Sequence, residues 1–265
     1  MFDDSDSDSE PIPLLPDEPE DFLPPPPSAT TTTYSLTTAP HESLTLRLVG
    51  HNPLWGHHLW NAGRVTSEYL ETHAARLVAG KTVLELGAGA GLPALTCALR
   101  GAAKVVVTDY PDAPLIDNLR INISALPSSY DGTGNGNIVA EPYLWGNPLP
   151  EILAHLPPPA EAFDLVILSD LLFNHSEHQK LLKTVLLTLK KTARVRALVF
   201  FTPHRPWLLE KDLEFLKIAE EAGLVVEKTV ERLLDNPMFE EDMGDRDLRR
   251  TVFGYEISWK DLGSS

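Results

Sequence analysis

One segment constrains the fold of this chain more than any other: the glycine-rich stretch 85–91, Glu-Leu-Gly-Ala-Gly-Ala-Gly, which closes a short apolar run. Glycines at alternate positions let the backbone turn sharply and approach a ligand, and a following helix offers unpaired N–H groups. Asp109 ends the next apolar run, twenty residues after Gly89. That interval is typical of carboxylates that bind the two hydroxyls of a ribose. The loop and the acid together predict a nucleoside ligand.

The spacing of the glycines also narrows the kind of nucleoside. A dinucleotide fingerprint that starts at Gly87 requires its third glycine at position 92, where this chain has Leu92. The sequence therefore disfavours a dinucleotide dehydrogenase and favours a smaller ligand. Taken alone, the loop is also compatible with a purely structural turn.

Apolar runs and helix-like segments alternate along most of the chain. Strands are predicted at 44–48, 82–86, 105–108, 138–140, 163–169 and 197–202, and helices at 65–77, 92–100, 115–123, 181–190 and 208–222. Continuous apolar strands between helices indicate a parallel sheet covered on both faces. Two final strands, 225–230 and 252–259, have no helix-like segment between them and predict an antiparallel pair at one edge. The expected fold class is α/β.

Charge is concentrated at the start of the chain. Residues 1–40 hold nine of the 38 acids and no Lys or Arg, so residues 41–265 hold 29 acids against 22 bases. An acidic, proline-rich and threonine-rich composition cannot bury enough apolar surface to fold, so we expect residues 1–40 to be a disordered leader. Residues 41–265 would form one domain. This balance argues against a nucleic-acid partner, whose phosphates require clustered cations, and is compatible with a basic protein partner.

The cysteine, histidine and apolar residues of the chain indicate its cellular compartment and the kinds of site it lacks. The single cysteine, Cys97, excludes an internal disulfide and a cysteine-rich zinc site, and it is expected to pack inside a helix. No apolar run is long enough to span a bilayer. His57 and His58 have no cysteine or carboxylate at a metal-binding spacing, so no metal site is predicted. We expect a cytoplasmic monomer that does not associate with membranes.

Two further strand ends carry candidate site residues. Trp145 follows the third strand of the parallel set, where an indole either covers a nucleobase or packs in the core. Ser169 ends the next strand, and Asp170 and Phe173 follow it. Asp170 either orients the amine group of a substrate, with Phe173 packed around that amine, or caps the helix that follows. Both alternatives stay open on the residues alone.

These segments resemble a known family. Residues 85–91, Asp109, Trp145 and the Asp-x-x-Phe segment 170–173 are similar to the seven-β-strand lysine methyltransferases. Residues 46–50, 53–63 and 108–112 more narrowly resemble fungal methyltransferases of translation elongation factor one-alpha, a family also described as nicotinamide N-methyltransferase-like. The likeness covers about residues 40–260. It implies a seven-stranded, Rossmann-like class I sheet and the cofactor S-adenosyl-L-methionine.

The resemblance further implies a reaction and its residues. The expected substrate is elongation factor one-alpha, methylated at its N-terminal glycine α-amine and the adjacent lysine. Phe173 stands where related enzymes often carry tyrosine, which leaves an apolar wall instead of a hydroxyl. The alternatives are a small-molecule acceptor such as nicotinamide, or a non-catalytic module that only binds the cofactor. Carried over by motif, Asp170 and Phe173 would serve catalysis, and the cofactor contacts would be Trp55, Trp60, Gly87, Ala88, Gly89, Asp109, Trp145 and Ser169.

Overall fold

Strands and helices alternate in the computed structural model of the chain, which describes residues 28–38, 42–126 and 134–260. The strands are β1 (Thr30–Ser35), β2 (Ser43–Leu48), β3 (Thr82–Leu86), β4 (Lys104–Asp109), β5 (Ile138–Pro142), β6 (Leu165–Ser169), β7 (Arg196–Phe201), β8 (Leu224–Leu233) and β9 (Thr251–Trp259). The helices are α1 (Asn61–Thr72), α2 (Ala74–Leu77), α3 (Leu92–Leu99), α4 (Ala113–Ser124), α5 (Pro150–Leu153), α6 (His178–Thr188), α7 (Leu209–Glu221) and α8 (Arg246–Arg249). None of the helices described has the length and apolar character that a bilayer crossing requires.

Seven of the strands form one sheet in the order β5-β4-β3-β6-β7-β9-β8. The first five in this order pair in parallel, whereas β9 runs antiparallel to both β7 and β8. This confirms the predicted sheet and its antiparallel edge pair. The chain builds outward from β3 to β5 and then returns to place β6 on the other side of β3, so the order reverses between β3 and β6. Ligands of open α/β sheets bind beyond the carboxyl ends of the strands at such a reversal.

The sheet separates two apolar layers. Because successive side chains of a strand point to opposite faces, Val83 joins one layer while Leu84 and Leu86 join the other. Helices α1 and α3 cover the first face, and α6 and α7 cover the second. All five residues of β3 are buried, as expected for the central strand of a parallel sheet.

The prediction that residues 1–40 are disordered was wrong for the end of that segment. Strand β1 lies inside residues 1–40 and pairs antiparallel with β2 along its whole length. Threonine is β-branched and suits a pleated strand, and Tyr34 and Leu36 bury their side chains in the first core layer. Residues 1–27 of the predicted leader lie outside the described residues.

A buried carboxylate fastens β1 to the domain. Glu71 of α1 accepts hydrogen bonds from the Tyr34 hydroxyl at 3.0 Å, from the backbone N–H groups of Thr37 and Thr38, and from the Arg100 guanidinium at 2.9 Å. Burial raises the pKa of Glu71, but the donors outweigh it and hold the pKa below its usual value. The N-terminal hairpin is therefore part of the folded domain.

Two smaller differences concern helix boundaries. The helix predicted over residues 65–77 is interrupted at His73, which leaves α1 and α2 as separate segments. The stretch between β8 and β9 contains one short helical turn, α8. Asp245 begins that turn by accepting hydrogen bonds from the backbone N–H groups of Asp247 and Leu248.

Candidate active site

A cavity of about 500 Å³ opens at the carboxyl ends of β3, β4 and β6, beside the reversal of strand order. This size is ordinary for a site that encloses a nucleoside-sized ligand. All ten of the predicted site residues line this one cavity: Trp55, Trp60, Gly87, Ala88, Gly89, Asp109, Trp145, Ser169, Asp170 and Phe173. The structure thus brings together residues that are spread over more than a hundred positions of sequence.

The glycine loop forms the floor of the cavity, and its backbone turns favour glycine. Gly87, Gly89 and Gly91 all have positive φ angles, 58°, 57° and 78°, which non-glycine residues adopt at a cost. A Cβ added to Gly87 would lie 2.6 Å from Leu171 Cδ2 and 3.1 Å from Trp145 Cζ2. The loop is therefore shaped both for its turn and for close approach of a ligand to the backbone.

Asp109 closes the loop from the end of β4. Its Oδ2 accepts a hydrogen bond from the Gly89 N–H at 2.6 Å, and its Oδ1 accepts one from the Tyr110 N–H at 2.7 Å. Burial raises the pKa of Asp109, and the two N–H donors partly counteract that effect. Each carboxylate oxygen keeps acceptor capacity after one hydrogen bond. Asp109 can therefore hold the loop and still accept hydrogen bonds from ribose hydroxyls.

Glu85 is a site residue that the sequence reasoning missed. It is fully buried in β3 and lines the cavity; its Oε2 accepts a hydrogen bond from the Ala94 N–H at 2.7 Å, while its Oε1 has no partner among the described residues. Burial raises the pKa of Glu85 to about 8. A buried oxygen without a partner is costly, and a ligand ammonium group would supply one. The signal in the sequence was an acid within an otherwise apolar strand, two residues before Gly87.

Three tryptophans flank the cavity in different ways. Trp145 packs against the second core layer while it lines the cavity, so it forms a wall and also contributes to the core. Trp60 immediately precedes α1 and donates its indole N–H to the Trp55 carbonyl at 3.2 Å. Trp55 has a positive φ of 63° and is half exposed at the cavity mouth. Trp60 and Trp55 therefore belong to one connected segment beside the cavity.

The residues after β6 form the second end of the cavity. Ser169 Oγ lies 3.3 Å from Thr66 Oγ1 of α1. Asp170 is buried and adopts a left-handed conformation with φ of 59°, which is strained for a residue with a side chain. Phe173 is 39% exposed, and its carbonyl accepts a hydrogen bond from the Arg205 guanidinium at 2.8 Å. Phe173 provides the apolar wall expected from its side chain.

The carboxylate of Asp170 does not cap the following helix. Oδ1 accepts a hydrogen bond from the Thr202 N–H at 3.1 Å, and Oδ2 lies 3.0 Å from Nε2 of His204. Both partners belong to the loop after β7, so the capping alternative is wrong. His204 is a second residue that the sequence reasoning missed, because it lies 34 positions from Asp170 and no local pattern marks it.

The histidines near the cavity mouth do not form a metal centre. The rings of His57 and His58 are in contact, with centroids 4.1 Å apart and planes tilted by 43°, and burial together with neighbouring histidines lowers the pKa of each. Among the described residues, no group of three His, Cys, Asp or Glu side chains is close enough to hold a metal ion.

The sheet and its cavity define an S-adenosylmethionine-dependent methyltransferase. The same fold occurs in solved structures. The YcgJ protein from Bacillus subtilis superimposes with a TM-score of 0.51 at 16% identity, covering 74% of this chain and 98% of that one. P. horikoshii TYW2, solved in complex with MeSAdo, gives a TM-score of 0.50 at 16% identity and covers 86% of this chain and 72% of its own. At such identities these likenesses show the fold alone.

Sequence comparison gives the family. A family model described as lysine methyltransferase matches residues 39–222. A relative from Emericella nidulans is 44% identical over 92% of this chain and 94% of its own, and one from Neurospora crassa is 46% identical over 92% and 86%. Both are named protein N-terminal and lysine N-methyltransferase efm7. The chain belongs to the lysine methyltransferase family.

Proposed function

We propose that this enzyme methylates translation elongation factor one-alpha at its N-terminal glycine α-amine and at the adjacent lysine. The observation that carries the amine specificity is the name shared by relatives that are 42% to 46% identical over more than nine-tenths of this chain. The choice of elongation factor rests on the resemblance of residues 46–50, 53–63 and 108–112 to the fungal family. We further propose that the enzyme works as a cytoplasmic monomer.

We assign the half of the cavity under β3 and β4 to the cofactor. Its glycine floor leaves room for a ligand against the backbone, Asp109 offers acceptors for ribose hydroxyls, and the unpartnered oxygen of Glu85 suits an ammonium group. These features fit S-adenosylmethionine, which carries a ribose and an amino-acid ammonium. When bound, this cofactor supplies a sulfonium methyl: the acceptor nitrogen forms a carbon–nitrogen bond while sulfur keeps the electrons of the carbon–sulfur bond. The proposed contacts are Trp55, Trp60, Gly87, Ala88, Gly89, Asp109, Trp145 and Ser169.

The half of the cavity after β6 is assigned to the acceptor amine. The amine must present a neutral lone pair, so most of the work of this chain is orientation and proton removal. The Asp170 carboxylate lines this end, and it can accept a hydrogen bond from the amine on lone pairs that Thr202 and His204 do not use. Phe173 covers the same end with an apolar ring and limits the access of water.

The direct test is transfer of labelled methyl groups to purified elongation factor one-alpha. We expect label on the N-terminal peptide and on its adjacent lysine, located by mass spectrometry of the digested protein. Two altered substrates separate the two positions, one with its N-terminus acetylated and one with the adjacent lysine replaced by arginine. Absence of label on any protein of a matched lysate would refute the proposal, and turnover of free nicotinamide would favour the small-molecule alternative.

Variants of the enzyme connect the activity to the cavity. Asp109→Ala removes the acceptors for the ribose and should abolish labelling at low cofactor concentration. The matched control is Asp117→Asn on α4, an exposed carboxylate whose partner is Arg120 three residues away. Asp117→Asn should label the substrate at the rate of the unaltered enzyme.

A further inference from the structure

His204 contacts Asp170, which lines the cavity, and has no role in the proposed reaction steps. Its Nε2 lies 3.0 Å from Oδ2 of Asp170, and the two side chains are only 18% and 6% exposed. The indole of Trp60 packs edge-on against the imidazole, with ring centroids 4.9 Å apart. The backbone N–H of His204 also donates to the Thr202 carbonyl at 2.8 Å. The position of the imidazole is thus fixed by a hydrogen bond of its own backbone and by the contact of its ring with Trp60.

The loop after β7 thereby donates to both oxygens of the same carboxylate. Thr202 donates its N–H to Oδ1 of Asp170, while His204 faces Oδ2. Asp170 has a strained, left-handed backbone, and its own N–H donates to the Phe200 carbonyl at 2.7 Å. A residue keeps such a conformation only where its surroundings determine it several times over. The geometry fixes where the remaining acceptor positions of the carboxylate point.

We infer that His204 is a positioning residue for methyl transfer. It holds the Asp170 carboxylate toward the acceptor amine, and its protonation state sets the net charge of the Asp170–His204 pair. This inference deepens the proposed function and rests on it for the identity of the acceptor. His204 itself touches Asp170 and not the reacting atoms. An error of about 1 Å in the placement of a reacting group can lower a rate a hundredfold, which is why such positioning matters.

The charge on His204 opposes the reaction when the imidazole is protonated. Methyl transfer leaves positive charge on the acceptor nitrogen, which then loses one proton to solvent water, and an adjacent imidazolium disfavours that charge. Three carboxylates from separate elements face His204, namely Asp170 after β6, Asp212 on α7 and Asp242 between β8 and β9. Burial lowers the pKa of His204, but these carboxylates outweigh burial and raise it above its usual value. Activity should therefore rise as the pH rises through the pKa of His204.

Two variants separate the hydrogen bond from the charge. His204→Gln keeps an N–H donor for Asp170 but cannot be protonated, whereas His204→Leu removes both the donor and the charge. The low-pH limb of log kcat/KM should have a slope of one in His204→Gln, where only the acceptor amine titrates, and should be steeper in the unaltered enzyme, where His204 titrates as well. At high pH His204→Gln should stay within about threefold, while His204→Leu should lose about 10- to 100-fold, as expected when a hydrogen bond to a charged group is lost.

A second histidine–carboxylate pair provides the matched control. His155 Nε2 lies 2.7 Å from Oε1 of Glu141, away from the cavity lining. His155→Gln should leave the pH profile unchanged. Calorimetry of S-adenosylmethionine binding and thermal unfolding should show that His204→Leu remains folded and still binds the cofactor. If His204→Leu fails to fold, the pH profile of His204→Gln and an NMR titration of His204 still test whether His204 positions Asp170.

A titration measured without any substrate completes the test. The imidazole of His204, followed by NMR in the unaltered protein and in Asp170→Asn, should titrate at a lower pH when the carboxylate is replaced. Equal titration in both proteins, a low-pH limb as steep in His204→Gln as in the unaltered enzyme, or full activity of His204→Leu would each overturn the inference. Because the titration needs no acceptor, it stands even where elongation factor one-alpha proves not to be the substrate.

Discussion

Cofactor binding should release a proton from Glu85. In the free enzyme this carboxyl is fully buried, one of its oxygens has no partner among the described residues, and its pKa is raised to about 8. At pH 7 a group with that pKa is protonated in roughly nine molecules out of ten. An ammonium group beside it favours the charged form and lowers the pKa. Binding of S-adenosylmethionine at pH 7 should therefore expel about 0.9 proton per site.

Isothermal calorimetry measures this release directly. The enthalpy of binding is determined at pH 7 in phosphate and in Tris, two buffers whose ionisation enthalpies differ widely, and the difference gives the number of protons exchanged. Glu85→Gln cannot exchange a proton and should bind the cofactor more weakly, with an enthalpy independent of buffer. A buffer-independent enthalpy in the unaltered enzyme, or equal release in Glu85→Gln, would refute the assignment of Glu85 to the cofactor ammonium.

Three further outcomes follow from the described contacts. The pKa of Glu85 is higher in the folded protein than in the unfolded chain, so its contribution to stability is complete below about pH 4.5 and is lost as the pH rises toward 8. The free energy of unfolding measured in urea should therefore fall by about 4 kcal/mol between these pH values. Glu85→Gln should not show this fall. Gly87→Ala puts a Cβ on a residue with a φ of 58° and 2.6 Å from Leu171 Cδ2, so cofactor binding measured by calorimetry should weaken; unchanged binding would contradict the role given to this loop. Glu71→Ala leaves Arg100 without its buried partner and should destabilise the protein by about 3 to 5 kcal/mol in urea unfolding, whereas a change below 1 kcal/mol would contradict the proposed fastening of β1.

The parts of the fold and site that could be predicted from sequence are those whose signals are local. The glycine loop, the acid at the end of β4 and the alternation of apolar strands with helices each lie within a short window, and the structure places them as expected. Their physical causes, backbone conformation and burial on both faces of a sheet, act between near neighbours in the chain.

The missed features depend on contacts between distant segments. His204 matters because the fold places it against Asp170, and neither residue reveals the other in sequence. Strand β1 lies within a threonine-rich stretch of low apolar content, and its order depends on pairing with β2 and on Glu71 of α1. Glu85 was visible as an acid in an apolar strand, but its unpartnered oxygen is known only from the packing around it.

The reversal of strand order between β3 and β6 places the proposed cofactor residues and the proposed acceptor residues largely on different loops. The loops after β3 and β4 carry the glycines and Asp109, whereas the loops after β6 and β7 carry Asp170, Phe173 and His204. On the proposed assignment, a mutation in the second pair of loops would alter which amine is accepted while the methyl donor is still bound. Retargeting this scaffold to a new acceptor would then mean redesigning those two loops.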